Sequence, residues 1–249
     1  RDCLLSRGLG DVYKRQNHDC ELGAFCNKDE LADIFAEGKY CIFTKGNRYI
    51  YGVGNFFINL VDDNNKAVLP LVMLDSNMYG DGGWFYSGFD CIHKDQTEWC
   101  MNKLTSLKNE DENIKAMAFF HMPVREFKKA YERMKLGDND VIYKHGSVGE
   151  KNDHFGISRF KGIFFNSAVD NGVIKWMFCG HDHLNTLSLV YKGIQLTYGM
   201  SIDYLGYKGI EKQYTQRGGT LITRKKDGSV SVKMVPLTSV VSTKVSGVK

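Results

Sequence analysis

The stretch "GVIKWMFCGHDH", residues 172–183, joins an apolar run to two closely spaced histidines. The apolar run predicts a buried strand that ends at Gly180, where glycine permits a sharp turn. His181 and His183 are two positions apart, so in an extended segment their side chains point to the same side. Open α/β sheets bind ligands at the carboxyl ends of their strands. The stretch therefore indicates a ligand site at one edge of a sheet.

A second apolar run, "IKAMAFF" (114–120), ends in the same way, at His121. Near the start of the chain, "NHD" (17–19) offers an amide, an imidazole and a carboxylate in sequence. An isolated pair of histidines is weak evidence, because such pairs occur by chance and a lone histidine is more often a satisfied core or surface residue. Three ligand-bearing segments together favour a metal site.

The rest of the chain alternates predicted helices and strands, with residues 137–160 left unassigned. Asp95 is the predicted N-cap of a helix that extends to about Lys108, with Glu98 as its capping-box partner. The other predicted helices are 28–37 and 125–135; the other predicted strands are Tyr40–Thr44, Arg48–Val53, Phe56–Val61, Val68–Leu74 and 193–199, followed by a hairpin over 219–236 that turns at Asp227–Gly228.

Composition limits the classes of protein that the sequence allows. The 249 residues are 43% hydrophobic and 25% charged, which suits one globular domain. No apolar run reaches the ~20 residues of a membrane span, and no Lys/Arg stripe indicates nucleic-acid binding. The seven cysteines (3, 20, 26, 41, 91, 100 and 179) form no CxxC pair, so a zinc ribbon is excluded and reduced thiols are favoured over a disulfide framework. The sequence assigns no compartment.

The ordered motifs resemble the calcineurin-like metallophosphoesterase superfamily. Asn17-His18-Asp19 matches its Gly-Asn-His-Asp block except for the glycine, His121 matches its strand-end histidine, and residues 180–183 match its Gly-His-x-His block. "DQTEW" (95–99), "HMPVREF" (121–127) and "YGMSIDYLGY" (198–207) resemble a branch related to purple acid phosphatases. The resemblance implies an α/β fold: a four-layer α/β/β/α sandwich of two mixed β-sheets flanked by helices.

The resemblance covers residues 17–237, and the first two blocks of the family, Asp-x-His and Gly-Asp-x-x-Asp, have no counterpart in order. The segment "GLGDVYKRQ" within residues 1–16 resembles translated library-adapter sequence. We therefore expect residues 1–16 to be non-native, residues 17–237 to be a metallophosphoesterase domain without its first strand–helix units, and residues 238–249 to be a flexible tail. A genuine N-terminal arm is the alternative for residues 1–16.

The resemblance also implies the roles of the site residues. Asn17, His121 and His181 would bind one metal ion and His183 a second, with Fe, Mn or Zn as candidates. His18 would lie near the leaving group as general acid or phosphate donor, with Asp19 orienting its imidazole, and Asp182 would not be a ligand. The implied reaction is hydrolysis of a phosphoester by a bridging hydroxide, on a phosphorylated small molecule or protein. Phosphomonoesters are favoured over phosphodiesters, and a nuclease is disfavoured because no basic groove is evident; a cyclic-nucleotide or other phosphodiesterase stays open.

Without the missing carboxylates we expect this chain to bind at most one ion, weakly, to have little activity and to expose a sheet edge. Two alternatives stay open: a non-catalytic domain whose histidine loops serve structure or partner binding, and a mononuclear histidine-rich metal protein. The other notable polar and aromatic side chains are expected to be ordinary surface, rim or core residues: His93, Glu126, His145, His154, Trp84, Phe85, Tyr86, Tyr204 and Tyr207.

Overall fold

The computed structural model describes residues 26–77, 79–80, 88–203 and 217–240, and every structural statement below concerns those residues. Asn17, His18 and Asp19 lie outside them, as do all of the segment expected to be non-native and most of the expected flexible tail. The helices are α1 (Lys28–Ala36), α2 (Lys94–Glu110), α3 (Glu126–Lys135) and α4 (Phe164–Asn171). The strands are β1 (Phe56–Val61), β2 (Ala67–Met73), β3 (Ala116–Phe119), β4 (Val141–His145), β5 (Ile174–Cys179), β6 (Ser188–Tyr191), β7 (Ile194–Tyr198), β8 (Gly218–Arg224) and β9 (Val230–Pro236).

Seven strands form one mixed sheet in the order β1-β2-β3-β5-β7-β6-β4. The four central strands β2, β3, β5 and β7 are parallel, so their carboxyl ends meet at one edge. β1 and β6 run in the opposite direction, and β4 pairs antiparallel with β6, which returns it to the direction of β7. The segments that follow the parallel strands therefore all emerge at this edge, which we call the carboxyl edge.

Each face of the large sheet is buried. On one face α2, α3 and α4 pack on the main core, to which they contribute Leu104, Phe127 and Phe164 among others. On the other face Met73, Phe119 and Phe178 pack against the antiparallel pair β8–β9. Three layers, of helices, large sheet and small sheet, are thus present in the described part of the chain. They confirm the predicted α/β sandwich, although the small sheet is antiparallel where a mixed one was expected.

The predicted strands Tyr40–Thr44 and Arg48–Val53 are wrong, because these residues form turns and irregular backbone. Gly46, Gly52 and Gly54 all adopt positive φ angles, which interrupt an extended chain. The predicted capping of α2 is also wrong. The helix begins at Lys94, its N-cap is His93, and the backbone N–H of His93 donates to the side-chain oxygen of Gln96.

Three elements escaped prediction: β4, β6 and α4. β4 is an edge strand with exposed Ile142 and Tyr143, so it lacks a clear apolar alternation. β6 has four residues and α4 has eight, which is too short for either period to stand out. The remaining predicted strands, helices and the 219–236 hairpin are confirmed to within a few residues at their ends.

The expectation about thiols is met where the structure describes them: Cys26, Cys41, Cys91, Cys100 and Cys179 are free. Burial raises the pKa of the Cys91 thiol to about 11. Cys100 and Cys179 are buried and act as small apolar side chains. No helix in the described residues is long and apolar enough to cross a bilayer.

A fully buried carboxylate fastens the N-terminal segment to the carboxyl edge. Asp75, directly after β2, accepts hydrogen bonds from the ammonium of Lys28 and from the backbone N–H groups of Val53 and Asn77, each at 2.8 Å. The Gln96 side chain donates to the Asp75 carbonyl at 2.6 Å. We call this network the Asp75 clamp. It connects α1 and the 47–55 turn to the large sheet.

Replacing Asp75 with alanine should leave the partly buried Lys28 ammonium and two backbone N–H groups without their acceptor. We expect Asp75→Ala to lower the free energy of unfolding by about 2–4 kcal/mol. Asp62→Ala is the matched control, because Asp62 also accepts two backbone N–H groups but does so at an exposed turn, and it should cost under about 1 kcal/mol. Urea unfolding followed by tryptophan fluorescence measures both. Equal losses for the two variants would contradict a special role for the clamp.

Candidate metal centre

The structure brings two of the predicted ligands together at the carboxyl edge. His121 follows β3 and His181 follows β5, and these strands are parallel neighbours. The backbone N–H of Gly180 donates to the carbonyl of His121 at 3.1 Å, which ties the two loops together. As a result, Nδ1 of His181 lies 3.2 Å from Nε2 of His121, with the two rings nearly perpendicular.

A nitrogen–nitrogen distance of 3.2 Å fits two ligands of one metal ion. Imidazole nitrogens bind zinc at about 2.0–2.1 Å, so a pair that subtends 90–109° at the ion lies roughly 2.8–3.4 Å apart. The same distance suits a hydrogen bond between one protonated and one bare nitrogen. The two arrangements exclude each other, because a shared proton occupies the position of the ion. The histidine pair can therefore either bind a metal ion or share a proton, but cannot do both at once.

Ser76 holds the backbone of His121 in place. The Ser76 hydroxyl, fully buried at the end of β2, accepts hydrogen bonds from the N–H groups of His121 at 3.2 Å and Met122 at 2.8 Å. His121 itself is 2% exposed. The sequence analysis gave Ser76 no role. Its only sequence signal is its position in "LDSN", directly after a predicted strand.

His181 has an unusual backbone conformation, with a φ angle of +70°. Such angles are costly for residues other than glycine and concentrate at functional sites. A Cβ at Gly156 would lie 2.2 Å from Cδ2 of His181, so only glycine fits behind the ring. The Phe89 ring packs edge-on against the imidazole, with centroids 4.5 Å apart. The position of the His181 ring is therefore fixed from two sides.

Asp182 turns away from the histidine pair into the core. Its carboxylate accepts hydrogen bonds from the N–H of Gly156 at 3.0 Å and from the hydroxyl of Tyr198 at 2.7 Å. Burial nevertheless raises the pKa of Asp182 to about 6, since desolvation outweighs these two donors. The carboxylate supports the loop from behind and ties its backbone to that of Gly156.

His183 has a carboxylate partner. Its Nδ1 lies 2.6 Å from Oδ2 of Asp203, and both side chains are largely buried. Histidines that bind metal commonly donate their other ring N–H to a carboxylate, which fixes the tautomer and leaves Nε2 as the ligand atom. Asp203 lies within the "YGMSIDYLGY" motif, but the sequence gave it no role. The His183–Asp203 pair and the His121–His181 pair are two different side-chain contacts.

Two expectations about other polar residues are wrong. His93 is not an ordinary loop residue: its Nε2 lies 2.9 Å from each oxygen of buried Asp90, and its ring stacks on Tyr51 at 3.9 Å. Glu126 is partly buried rather than solvent-facing, and burial raises the pKa of its carboxyl.

The two remaining histidines differ from each other. His145 is not a solvated histidine, because both ring nitrogens are buried without a hydrogen-bond partner in the described residues. His154 is exposed, as expected. The aromatic residues expected at a pocket or rim lie outside the described residues: Trp84, Phe85, Tyr86, Tyr204 and Tyr207.

The described residues contain no group of three or more His, Cys, Asp or Glu side chains that could hold a metal ion. The geometry supplies two converging imidazoles and, separately, an imidazole oriented by a carboxylate. The donor types suit Fe, Mn or Zn, but a full ligand set needs further donors. Asn17, which the sequence analysis assigned to the same ion as His121 and His181, is not described.

Comparison with known proteins shows which proteins the chain is similar to. No family model matches the chain, and no solved structure matches it. Its relatives are purple acid phosphatase-like proteins of the calcineurin-like superfamily, at modest identity.

Three such relatives come from Arabidopsis thaliana. "Probable inactive purple acid phosphatase 29" is 29% identical over 64% of the chain and 41% of its own length. "Probable inactive purple acid phosphatase 14" is 23% identical over 57% of the chain and 35% of its own length. "Probable inactive purple acid phosphatase 28" is 23% identical over 66% of the chain and 40% of its own length. The matched region thus spans about two fifths of these curated relatives, whose names describe them as inactive.

The buried Asp182 predicts a pH dependence of stability. Because its pKa is raised from 3.8 to about 6, the folded chain retains a proton there that the unfolded chain loses as pH rises from 4 to 6. The free energy of unfolding should therefore fall across this window, by up to about 3 kcal/mol from this group. Asp182→Asn should remove that component, whereas Asp63→Asn, at an exposed turn, should leave it intact. Urea unfolding in EDTA between pH 4 and 7 checks this, and parallel curves for wild type and Asp182→Asn would contradict it.

Proposed function

We propose that this chain carries the metal-binding part of a phosphoester hydrolase, with its site at the carboxyl edge of the large sheet. The observation that carries the proposal is the 3.2 Å approach of the His121 and His181 ring nitrogens. The buried His121 and the partly buried His181 bring two imidazole nitrogens together at the ends of adjacent parallel strands, where a metal ion could bridge them. The relatives named as purple acid phosphatases support the same class.

In this proposal His121, His181 and Asn17 hold one metal ion. His183 belongs to a second ion, with its imidazole oriented by Asp203. Ser76 and Gly156 keep the first pair in position, since one fixes the His121 backbone and the other leaves space for the His181 ring. The assignment of Asn17 rests on the motif that it shares with His18 and Asp19.

Metal ions in such a site polarise phosphoryl oxygens and lower the pKa of bound water. Water adds to phosphorus as the bond from phosphorus to the leaving oxygen breaks, which yields phosphate and an alcohol. His18 donates a proton to that leaving oxygen, and Asp19 keeps the imidazole charged and oriented. The substrate is the phosphomonoester of a small molecule or protein, because the sequence offers no basic stripe for a polynucleotide.

Charge limits what this chain can do by itself. His121, His181 and His183 bring no negative charge when they act as neutral ligands. The charge of a bound dication is then not neutralised, which lowers the affinity of the site. We therefore propose that the chain binds at most one ion, weakly, and that its hydrolytic activity is low. Residues 17–237 form the functional unit in this proposal.

A second candidate is a non-catalytic domain in which the histidine loops serve structure or partner binding. Two observations favour it: the relatives are named as inactive, and the described residues contain no group of three or more candidate metal-binding side chains. In this case the His121–His181 contact is a hydrogen bond shared between two neutral imidazoles, and it holds two loops together.

Titration with Zn²⁺ separates the two candidates. In isothermal calorimetry at pH 7.5 the wild-type chain should bind one equivalent, and His121→Ala and His181→Ala should each weaken binding by at least about tenfold. His183→Ala and the exposed control His154→Ala should leave the affinity unchanged, because neither residue holds the first ion. Hydrolysis of an aryl phosphate should be slow and should stop in EDTA.

The outcomes are distinct. Absence of Zn²⁺ binding by the wild-type chain would favour the non-catalytic domain. A loss of affinity in His183→Ala as large as that in His121→Ala would contradict the assignment of His183 to a different ion. Fast, EDTA-sensitive hydrolysis would overturn the expectation of low activity.

A further inference from the structure

Three rings form a continuous row from the proposed metal site to the surface. The Phe89 ring meets the His181 imidazole edge-on, with centroids 4.5 Å apart. The Tyr79 ring then stacks on Phe89 with centroids 5.7 Å apart and planes 21° apart. Tyr79 is 52% exposed. We call these three residues the aromatic ladder. It starts at a proposed ligand and ends at a ring whose surface is open to solvent.

The backbone beneath the ladder is well fixed. Tyr79 pairs with Phe89 in an antiparallel bridge, and the N–H of Gly80 donates to the carbonyl of Gly88 at 3.0 Å. The Ser158 hydroxyl donates to the carbonyl of Phe89 at 2.8 Å. Each ring therefore occupies a defined place before any ligand arrives, which reduces the entropic cost of binding.

Tyr79 is connected to the proposed metal site through Phe89, on which it stacks. Phe89 packs edge-on against the imidazole of His181, which also contacts the His121 ring, and Tyr79 stacks on Phe89. An exposed aromatic ring held in this position offers a flat face to a ligand. Stacking of a second ring on such a face is favourable beyond the area that it buries.

We propose that the aromatic ladder is the leaving-group subsite of this centre, and that it selects phosphoesters whose leaving group carries an aromatic ring close to phosphorus. The inference rests on the proposed function, because it requires the phosphoryl group to lie beside His181. The Phe89 ring is the first neighbour of His181 in the ladder and the Tyr79 ring is the second. A leaving group that extends from phosphorus along the ladder would therefore contact these two rings. Aliphatic leaving groups have no π face to stack on the ladder and gain less from it.

The charge around the ladder agrees with such a substrate. Tyr79 and Phe89 are uncharged, which suits a neutral aromatic ring. A Cβ placed on Gly88 would lie 3.1 Å from Cδ of Arg159, so the side chain of this exposed arginine lies along the hairpin that carries the ladder.

Two phosphonates that cannot be hydrolysed test the proposal without relying on activity. Phenylphosphonate places a ring directly on phosphorus, and methylphosphonate is its aliphatic match. Saturation-transfer NMR with Zn²⁺ present should show that phenylphosphonate binds about threefold to tenfold more tightly than methylphosphonate. Tyr79→Ala should remove most of this preference, whereas Tyr79→Phe should retain it. Tyr40→Ala, at another exposed tyrosine, should not change it.

Each outcome of this experiment supports or overturns the proposal. Equal affinities of the two phosphonates, both dependent on Zn²⁺, would overturn the leaving-group subsite and leave the proposed function intact. Binding of neither phosphonate in a Zn²⁺-dependent manner would overturn the proposed function and the subsite with it. Binding of phenylphosphonate that depends on Tyr79 but not on Zn²⁺ would show a ring-binding surface unrelated to the metal centre. That outcome would also overturn the proposal.

Discussion

The parallel pairing of β3 with β5 is the constraint on which the rest of the site depends. It places the ends of two apolar strands side by side, and the bond from Gly180 to the carbonyl of His121 sets the distance between the loops that follow. Two imidazoles then have to share a small volume. The apolar packing on both faces of the sheet supplies the rigidity, since a buried sheet cannot shift one strand without disturbing its whole core.

The histidine pair is held by features that have no side-chain chemistry of their own. Ser76 contributes only an acceptor for two backbone N–H groups, and Gly156 contributes only the absence of a side chain. His181 keeps a backbone angle that its neighbours must enforce. Because each of these features serves the position of a ring, substitutions of Ser76 or Gly156, which are not ligands, can alter the centre as strongly as substitutions of the ligands.

The central strands of the large sheet and the histidine pair were predictable from the sequence because both depend on short-range patterns, whereas the edge strand β4 and the four-residue strand β6 were not. Apolar runs predicted β3 and β5, and the general rule about strand ends placed His121 and His181 at the same edge. Ser76 and Asp203 were not predictable as site residues, because they act on residues far along the chain and their own neighbourhoods carry no pattern. Tyr40–Thr44 showed strand-like composition, but the glycines that follow it impose turns. The positive φ of His181 depends on tertiary packing, which no local pattern reports.

The Asp75 clamp has a consequence for the N-terminal motif. It holds the Lys28 ammonium on Asp75, the residue before Ser76, and the Ser76 hydroxyl accepts a hydrogen bond from the backbone N–H of His121. Fewer than ten residues separate Lys28 from Asp19, so the chain can carry this motif no further than about 30 Å from the clamp. In the proposed centre so short a tether would raise the effective concentration of Asn17 at the histidine pair, and a donor from another molecule would have to compete with it.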